Sequence, residues 1–119
     1  VAYVYEDVCR EQMWTLSAEG VWPFQFSKIG RWWDAHHEID VVALDPEGGN
    51  MVLGECKFWR DPVGVNVLRA LEEKESNVGW KKNNRQVWYI LFSASGFTDD
   101  LKKLAETRED LILWDDSQR

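Results

Sequence analysis

The sequence predicts a single α/β domain in which a mixed β-sheet lies between helices. Two apolar, β-branched runs around a cluster of turn-forming residues indicate a central β-hairpin. A segment with apolar residues at helical spacing precedes this hairpin, and strand and helix patterns alternate after it. The predicted order is α-β-β-β-α-β-α-β, which implies helices on both faces of the sheet. A length of 119 residues suits one domain, which we place over residues 1–119.

The first two elements are a helix and an aromatic strand. We predict a helix over residues 4–18, because its apolar residues form an imperfect stripe and Gly20 suits a helix stop. The next segment has too many aromatic residues in too irregular a pattern for a helix. We therefore predict a strand over residues 24–33 with a break near Gly30. The helical stripe consists of Tyr5, Val8, Met13 and Leu16.

The central hairpin is the clearest pattern in the sequence. Its strands are predicted over residues 39–44 and 51–59, with turn formers at residues 45–50 between them. Both strands are apolar on both faces, which is typical of central positions in a covered sheet. The remaining predicted elements are a helix over residues 65–78 with a stop at Gly79, a strand over residues 87–93, a helix over residues 99–107 and a strand over residues 111–114.

Composition and charge limit the function classes. Hydrophobic residues make up 45% of the chain and charged residues 29%, which argues against a disordered protein. No apolar run approaches the roughly 20 residues of a bilayer crossing, so we expect no membrane partner. Two cysteines and no secretory signal at the start fit a cytoplasmic protein, and Val1 suggests a domain of a longer one. The net charge of −7 argues against a nucleic-acid partner, but carboxylates that hold divalent cations also make a sequence acidic.

Charged residues interrupt the apolar strands of the hairpin. Glu55 and Lys57 are two residues apart and project from one face, and Asp40 lies in the adjacent strand. One interpretation is an ion pair of Lys57 with one of these acids at the sheet edge. The other is a site in which Asp40, Glu55 and the carbonyl of Cys56 bind Mg²⁺ or Mn²⁺. Lys57 would then steer the attacking water and stabilise charge on phosphorus, as metal-dependent phosphodiester hydrolysis requires.

These residues also resemble a known motif. Asp40, then fourteen residues, then Glu55-Cys56-Lys57 resembles the signature of the PD-(D/E)xK nuclease superfamily, although Ile39 stands where the namesake pattern has proline. The wider sequence resembles a nuclease-like family of unknown function found C-terminal to archaeal-type P-loop ATPases. The segments that carry this resemblance are YEDVCR at 5–10, KIGRWWD at 28–34, EIDVVA at 38–43, GECK at 54–57, LFS at 91–93 and GF at 96–97.

The resemblance implies a restriction-endonuclease-like three-layer fold. It also implies a metal-dependent DNA nuclease, or a nuclease-like DNA-binding domain, attached to a P-loop ATPase in the same full-length protein. Glu6 on the first helix would complete the catalytic metal site, and a surface pair of Glu6 with Arg10 is the alternative. The other functions that we consider are a catalytically silent module for assembly or regulation of the ATPase, and a scaffold that joins two copies into a homo-oligomer.

Basic and aromatic residues are candidates for contact with DNA. The basic loop at residues 81–85 is a candidate for contact with phosphates, and simple solvation of the loop is the favoured interpretation. Trp32 and Trp33 can stack on unpaired bases, but packing is the favoured interpretation for both. The predicted phosphate contacts are Lys74, Lys81, Lys82 and Arg85.

Overall fold

The computed structural model describes residues 2–118 and contains the elements in the predicted order. None of the described helices is long and apolar enough to cross a bilayer. Short 3₁₀ turns lie at Glu75–Asn77 and Asp116–Gln118. The helices and strands are α1 (Ala2–Ala18), β1 (Lys28–Trp33), β2 (Glu38–Asp45), β3 (Asn50–Lys57), α2 (Val65–Lys74), β4 (Gln86–Ser93), α3 (Asp99–Glu106) and β5 (Leu111–Asp115).

The five strands form one mixed sheet in the order β1-β2-β3-β4-β5. β1 with β2 and β2 with β3 are antiparallel, so a short turn suffices for the β2–β3 hairpin. β3 with β4 and β4 with β5 are parallel, and α2 and α3 provide the crossovers that parallel strands need. The predicted mixed sheet is therefore confirmed.

Helices cover the sheet on both faces, as the apolar strands predict. On one face, α1 buries Tyr5, Cys9 and Met13 in a cluster with residues of β2 to β5. On the other face, Leu68 of α2 and Leu101 of α3 are fully buried in a second cluster. Because the strands between these clusters are apolar on both sides, the sheet is the middle of three layers. The three-layer α/β architecture is confirmed.

Most predicted boundaries agree with the structure to within two residues, and three of the differences concern the start of β1, the end of β3 and the end of α2. β1 begins at Lys28 rather than at residue 24, because Trp22 and Phe26 instead turn into the core beside α1. A register shift between Gly30 and Trp32 confirms the predicted break in this strand. β3 ends at Lys57 rather than at residue 59.

The third difference concerns the end of α2. This helix stops at Lys74 and a 3₁₀ turn follows, so Gly79 does not end it as predicted. The Arg85 side chain donates hydrogen bonds to the carbonyl groups of Glu75, Val78 and Trp80, at distances of 2.7 to 2.8 Å. These contacts hold the chain in a tight curve after the helix, which the apolar periodicity alone does not predict.

Candidate active site

The two strands of the central hairpin carry the predicted acidic pair at the end of their ladder. Paired residues run from Asp45 and Asn50 to Val41 and Gly54. Beyond the last pair, the backbone N–H of Cys56 donates a hydrogen bond of 3.0 Å to Oδ2 of Asp40. The Asp40 side chain thus links β2 to β3 next to Glu55.

Gly54 allows the neighbouring strands to approach Glu55 closely. A Cβ atom at Gly54 would lie only 3.0 Å from Cβ of Val41 on β2 and from Cγ2 of Ile90 on β4. Glu55 follows this close approach directly and is itself buried. The strand segment that carries Glu55 is therefore packed closely between β2 and β4.

A cleft of about 330 Å³ opens at this end of the sheet. The four predicted catalytic residues, from α1, β2 and β3, all line it. Asp40 and Glu55 form its buried acidic part, and Lys57 is half-buried. The residues around the cleft are Glu6, Glu38, Asp40, Glu55, Cys56, Lys57, Phe58, Trp59 and Lys74.

Burial and mutual repulsion dominate the electrostatics of the acidic pair. Burial raises the pKa of Glu55 to about 8, with a hydrogen bond to Asp40 and the charge of Asp40 as further causes. Lys74 and Lys57 act in the opposite direction and offset only part of this shift. Glu55 therefore holds a proton at neutral pH, because the two lysines do not outweigh burial and the charge of Asp40.

Glu6 lies at the margin of the acidic pair. Burial raises the pKa of Glu6 above its ordinary range, and the charge of Asp40 adds to the effect. The predicted alternative, a pair with Arg10, is also present at 3.8 Å between Oε1 and Nη1. Nη1 of Arg10 donates in addition to the carbonyl oxygen of Asp40, at 3.2 Å. Arg10 thus connects the helix that carries Glu6 to the strand that carries Asp40.

Lys74 reaches the site from α2. Its Nζ donates to Oε1 of Glu55 at 3.2 Å and to the carbonyl oxygen of Glu38 at 2.9 Å. The ammonium group of Lys74, which was predicted to contact a phosphate, therefore already donates to two acceptors of the site itself. The Nζ atom of Lys57 lies 4.8 Å from the centre of the Trp59 ring, at the wall of the cleft.

The donor set fits a small, hard cation. Asp40 and Glu55 are neighbouring buried carboxyl groups, and such groups provide the oxygen ligands that Mg²⁺ takes together with water. Within residues 2–118, no three His, Cys, Asp or Glu side chains are placed to hold a metal ion together. The site is thus built on the pair Asp40 and Glu55. The Cys56 thiol is hydrogen-bonded to Cys9, which raises its pKa, so only the Cys56 carbonyl remains as a candidate ligand.

The basic loop does not form a free phosphate-binding patch. The Arg85 side chain is only 1% exposed and is paired with Glu75 at 2.6 Å, so it is not retained as a phosphate contact. Nζ of Lys81 donates to the carbonyl oxygen of Pro46 at 2.6 Å, although Lys81 stays exposed. Lys82 is exposed. The sequence alone does not indicate which of these three basic side chains the fold buries.

Exposed aromatic side chains beside the cleft were not predicted. Trp33 is 68% exposed, so the expected packing is wrong for this residue, whereas Trp32 packs against the core beside α2. Phe58 and Trp59, which were assigned to the end of a buried strand, are also exposed. Pro62 is the sequence feature that could have indicated the exposure of Phe58 and Trp59, because it ends β-structure nearby and leaves the two aromatic residues without strand neighbours.

The sequence matches a family model over residues 1–84, and this family is described as "Archaea bacterial proteins of unknown function" (DUF234). The chain belongs to this family. A relative, the "Uncharacterized protein MJECL04" of Methanocaldococcus jannaschii, is 38% identical over 82 residues, which is 66% of this chain. The chain spans only 18% of the length of that relative.

The fold of this DUF234 member is similar to that of a solved repair endonuclease. The crystal structure of a repair endonuclease from Pyrococcus abyssi superposes on 90% of this chain and 45% of its own, with a TM-score of 0.55 and 22% identity. A second similarity is to the EndoMS-dsDNA2 complex, with 90% and 43% of the two chains covered, a TM-score of 0.49 and 19% identity. The similarity to the repair endonuclease confirms the α/β fold with its central mixed sheet.

Proposed function

We propose that this domain is a metal-dependent nuclease of the PD-(D/E)xK type that acts on DNA. The observation that carries the proposal is the buried pair of Asp40 and Glu55 in an open cleft with Lys57 beside it. Buried like charges destabilise a fold unless a cation or a proton compensates them. A pair of this kind in a nuclease-like fold is best explained by a divalent cation and a phosphate substrate.

The residues of the cleft have distinct tasks in this proposal. Asp40, Glu55 and the Cys56 carbonyl would hold Mg²⁺ or Mn²⁺, with Glu6 at the margin of the site. A divalent ion held there supplies Lewis-acid polarisation of a phosphate oxygen and lowers the pKa of bound water. Lys57 places a positive charge at the cleft wall, where it stabilises negative charge that develops on the phosphate. Lys74 orients the Glu55 carboxyl group through its 3.2 Å contact.

The experiment separates the task of Lys57 from that of Asp40. Lys57→Ala should lower DNA cleavage in Mn²⁺ at least 100-fold, because a preorganised charge at the transition state is worth roughly 10²–10³ in rate. Its Mn²⁺ affinity by titration calorimetry should change little. Asp40→Asn should lose both cleavage and Mn²⁺ binding, while its amide oxygen can still accept the Cys56 hydrogen bond.

Lys102→Ala serves as the control, because Lys102 is an exposed lysine on α3. This variant should retain both cleavage and Mn²⁺ affinity. Equal losses of Mn²⁺ affinity in Lys57→Ala and Asp40→Asn would contradict the division of tasks. Wild-type protein that cleaves no DNA in either metal would contradict the nuclease proposal itself.

We further propose that the domain works as the C-terminal part of a longer protein with a P-loop ATPase. The small share of the archaeal relative that the chain spans supports a larger polypeptide. The chain itself contains no Gly-rich loop followed by Lys and Ser or Thr, so ATP hydrolysis would belong to another part of the protein. Copurification of ATPase activity with the full-length protein, and its loss from the isolated domain, would test this arrangement.

A catalytically silent module is the second candidate. It is favoured by the direct contact of Lys74 with Glu55 and by the lack, among residues 2–118, of a three-ligand metal cluster. In such a module, Lys74 would replace the metal as the counter-ion of the acidic pair. The calorimetric titration decides between the two candidates, because a silent module of this kind should not bind Mn²⁺ with the pair intact.

A further inference from the structure

We propose that exposed aromatic side chains beside the cleft stack on unpaired bases, so that the substrate is DNA with a single-stranded segment. We call Trp33, Phe58 and Trp59 the aromatic rim. This inference rests on the proposed nuclease function and adds the class of DNA on which the same site acts.

The aromatic rim is exposed where a folded domain would normally bury such side chains. Trp33 is 68% exposed, Phe58 51% and Trp59 44%. Phe58 and Trp59 line the acidic cleft itself. Clustered exposed apolar groups are typical of interaction sites rather than of bare surface. We therefore expect the rim to bind a ligand that has flat apolar faces.

Trp33 extends the rim from the cleft along the sheet end. It is the strand partner of Glu38, which lines the acidic cleft. Glu38 and Trp33 also line an adjoining cleft of about 420 Å³, together with Arg31 and the turn at His36 and His37. Both clefts have Glu38 in their lining, so Trp33 lies beside the acidic cleft at the same end of the sheet.

Positive charges accompany two of the exposed rings. The guanidinium carbon of Arg31 lies 5.8 Å from the Trp33 ring centre, and Nζ of Lys57 lies 4.8 Å from that of Trp59. An aromatic face next to a cation matches a nucleotide, which joins a flat base to an anionic phosphate. This charge pattern favours nucleic acid over an apolar protein partner.

The occupant is single-stranded because a duplex hides the faces that the rim would contact. Stacked base pairs present only their edges in the grooves, whereas unpaired bases are free to stack on indole rings. A net charge of −7 also disfavours a long duplex, which is bound by neutralising many phosphates. The basic groups of Arg85 and Lys74 are held by acceptors within the protein, as described above.

The test measures binding of two fluorescent probes in EDTA, where cleavage is prevented. The probes are a 20-nucleotide oligothymidine and a blunt duplex of 20 base pairs. Trp33→Ala and Trp59→Ala should each weaken oligothymidine binding roughly 5- to 150-fold, the change that corresponds to stacking on one base. Trp33→Phe and Trp59→Phe should recover most of the loss, because phenylalanine retains a ring for stacking.

Trp14→Ala is the matched control. Trp14 is 46% exposed, yet it lies on α1 against Phe26 at a ring distance of 4.8 Å and lines neither cleft. Its loss should leave oligothymidine binding unchanged. A decrease as large as that of Trp33→Ala would show that the tryptophan variants act through general destabilisation, and would overturn the inference.

The remaining outcomes separate this inference from the proposed function. Wild-type protein that cleaves DNA but prefers the blunt duplex, with both rim variants unchanged, would overturn the stacking surface and leave the nuclease proposal intact. Rim variants that change sedimentation of the protein but not oligothymidine binding would assign the rim to contact between copies of the chain. Failure of the wild type both to bind either probe in EDTA and to cleave either probe in Mn²⁺ would overturn both proposals.

Discussion

Glu55 is buried beside a second carboxyl group, and this proximity controls its charge. Its pKa is raised to about 8, first by burial and then by Asp40. The folded protein therefore holds a proton on this group at pH 7 that the unfolded chain, with an ordinary glutamate pKa near 4.5, has released. Each such proton makes the free energy of unfolding depend on pH.

We expect the metal-free protein to lose stability between about pH 5 and pH 8. Because the pKa of Glu55 is higher in the folded state, the stabilisation is full below the unfolded pKa and is lost as pH rises to the folded pKa. The limiting slope for one proton is about 1.4 kcal/mol per pH unit. Urea denaturation in EDTA at several pH values measures it.

Glu55→Gln provides the comparison for this prediction. The glutamine has no proton to lose, so the difference in unfolding free energy between the variant and wild type should shift steadily over that pH range. Parallel stability curves for the two proteins would contradict the raised pKa of Glu55.

Single residues also show which placements in the cleft can be predicted from the sequence. Asp40, Glu55 and Lys57 were predictable because charged residues in apolar strands are costly and strand alternation places Glu55 and Lys57 on one face. The exposure of Trp33 was not predictable, because a bulge between Gly30 and Trp32 changes which of two adjacent tryptophans faces the core. Alternation fixes a face only where the ladder is regular.

At the scale of elements, the turn between α2 and β4 depends on one buried cation. Arg85 binds carbonyl oxygens of the 3₁₀ turn and of the loop after it, and it pairs with Glu75. These acceptors come from a segment with no apolar pattern, so only the three-dimensional structure identifies the task of Arg85. The strands and helices on either side follow from their apolar periodicity and were predicted.

Arg85→Met should destabilise the protein by about 2–4 kcal/mol. The variant leaves the Glu75 carboxylate and several carbonyl groups without their donor, and breaking such a buried pair is strongly unfavourable. A lower urea midpoint with an unchanged slope would measure the loss. Lys82→Met in the same loop should stay within about 0.5 kcal/mol of wild type, because Lys82 is exposed. Similar stability of the two variants would contradict a structural task for Arg85.

At the scale of the whole molecule, three elements contribute acidic groups to one end of the sheet. α1 brings Glu6, β2 brings Glu38 and Asp40, and β3 brings Glu55. The packing of α1 against the sheet thus brings carboxyl groups together at this end of the sheet, where they repel one another when ionised. A cation that binds only the folded state would relieve that repulsion and stabilise the entire domain.

Mn²⁺ should raise the melting temperature of the wild-type protein at pH 8.5, where Glu55 is ionised. At 100 times the dissociation constant, the stabilisation is about 2.7 kcal/mol, or roughly 10 °C for a domain of this size. Asp40→Asn should melt at or above wild type in EDTA, since one repelling charge is removed, and should gain little from Mn²⁺.

Glu47→Gln is the control for a change of charge alone. Glu47 is exposed in the turn of the central hairpin, so this variant should retain the full response to Mn²⁺. A wild-type melting temperature that does not change in millimolar Mn²⁺ would support the silent module instead.

The central hairpin has a consequence for the time course of folding. Asp40 and Glu55 lie on its two strands, which are joined by a short turn. Isolated hairpins close in roughly 1–10 μs. β4 reaches β3 only through a crossover that includes α2, which carries Lys74. Chain entropy thus favours contact between the two acids before the lysine is in place. We expect repulsion between them to slow the folding reaction, so that a metal ion that binds the pair would change the rate of folding as well as the stability.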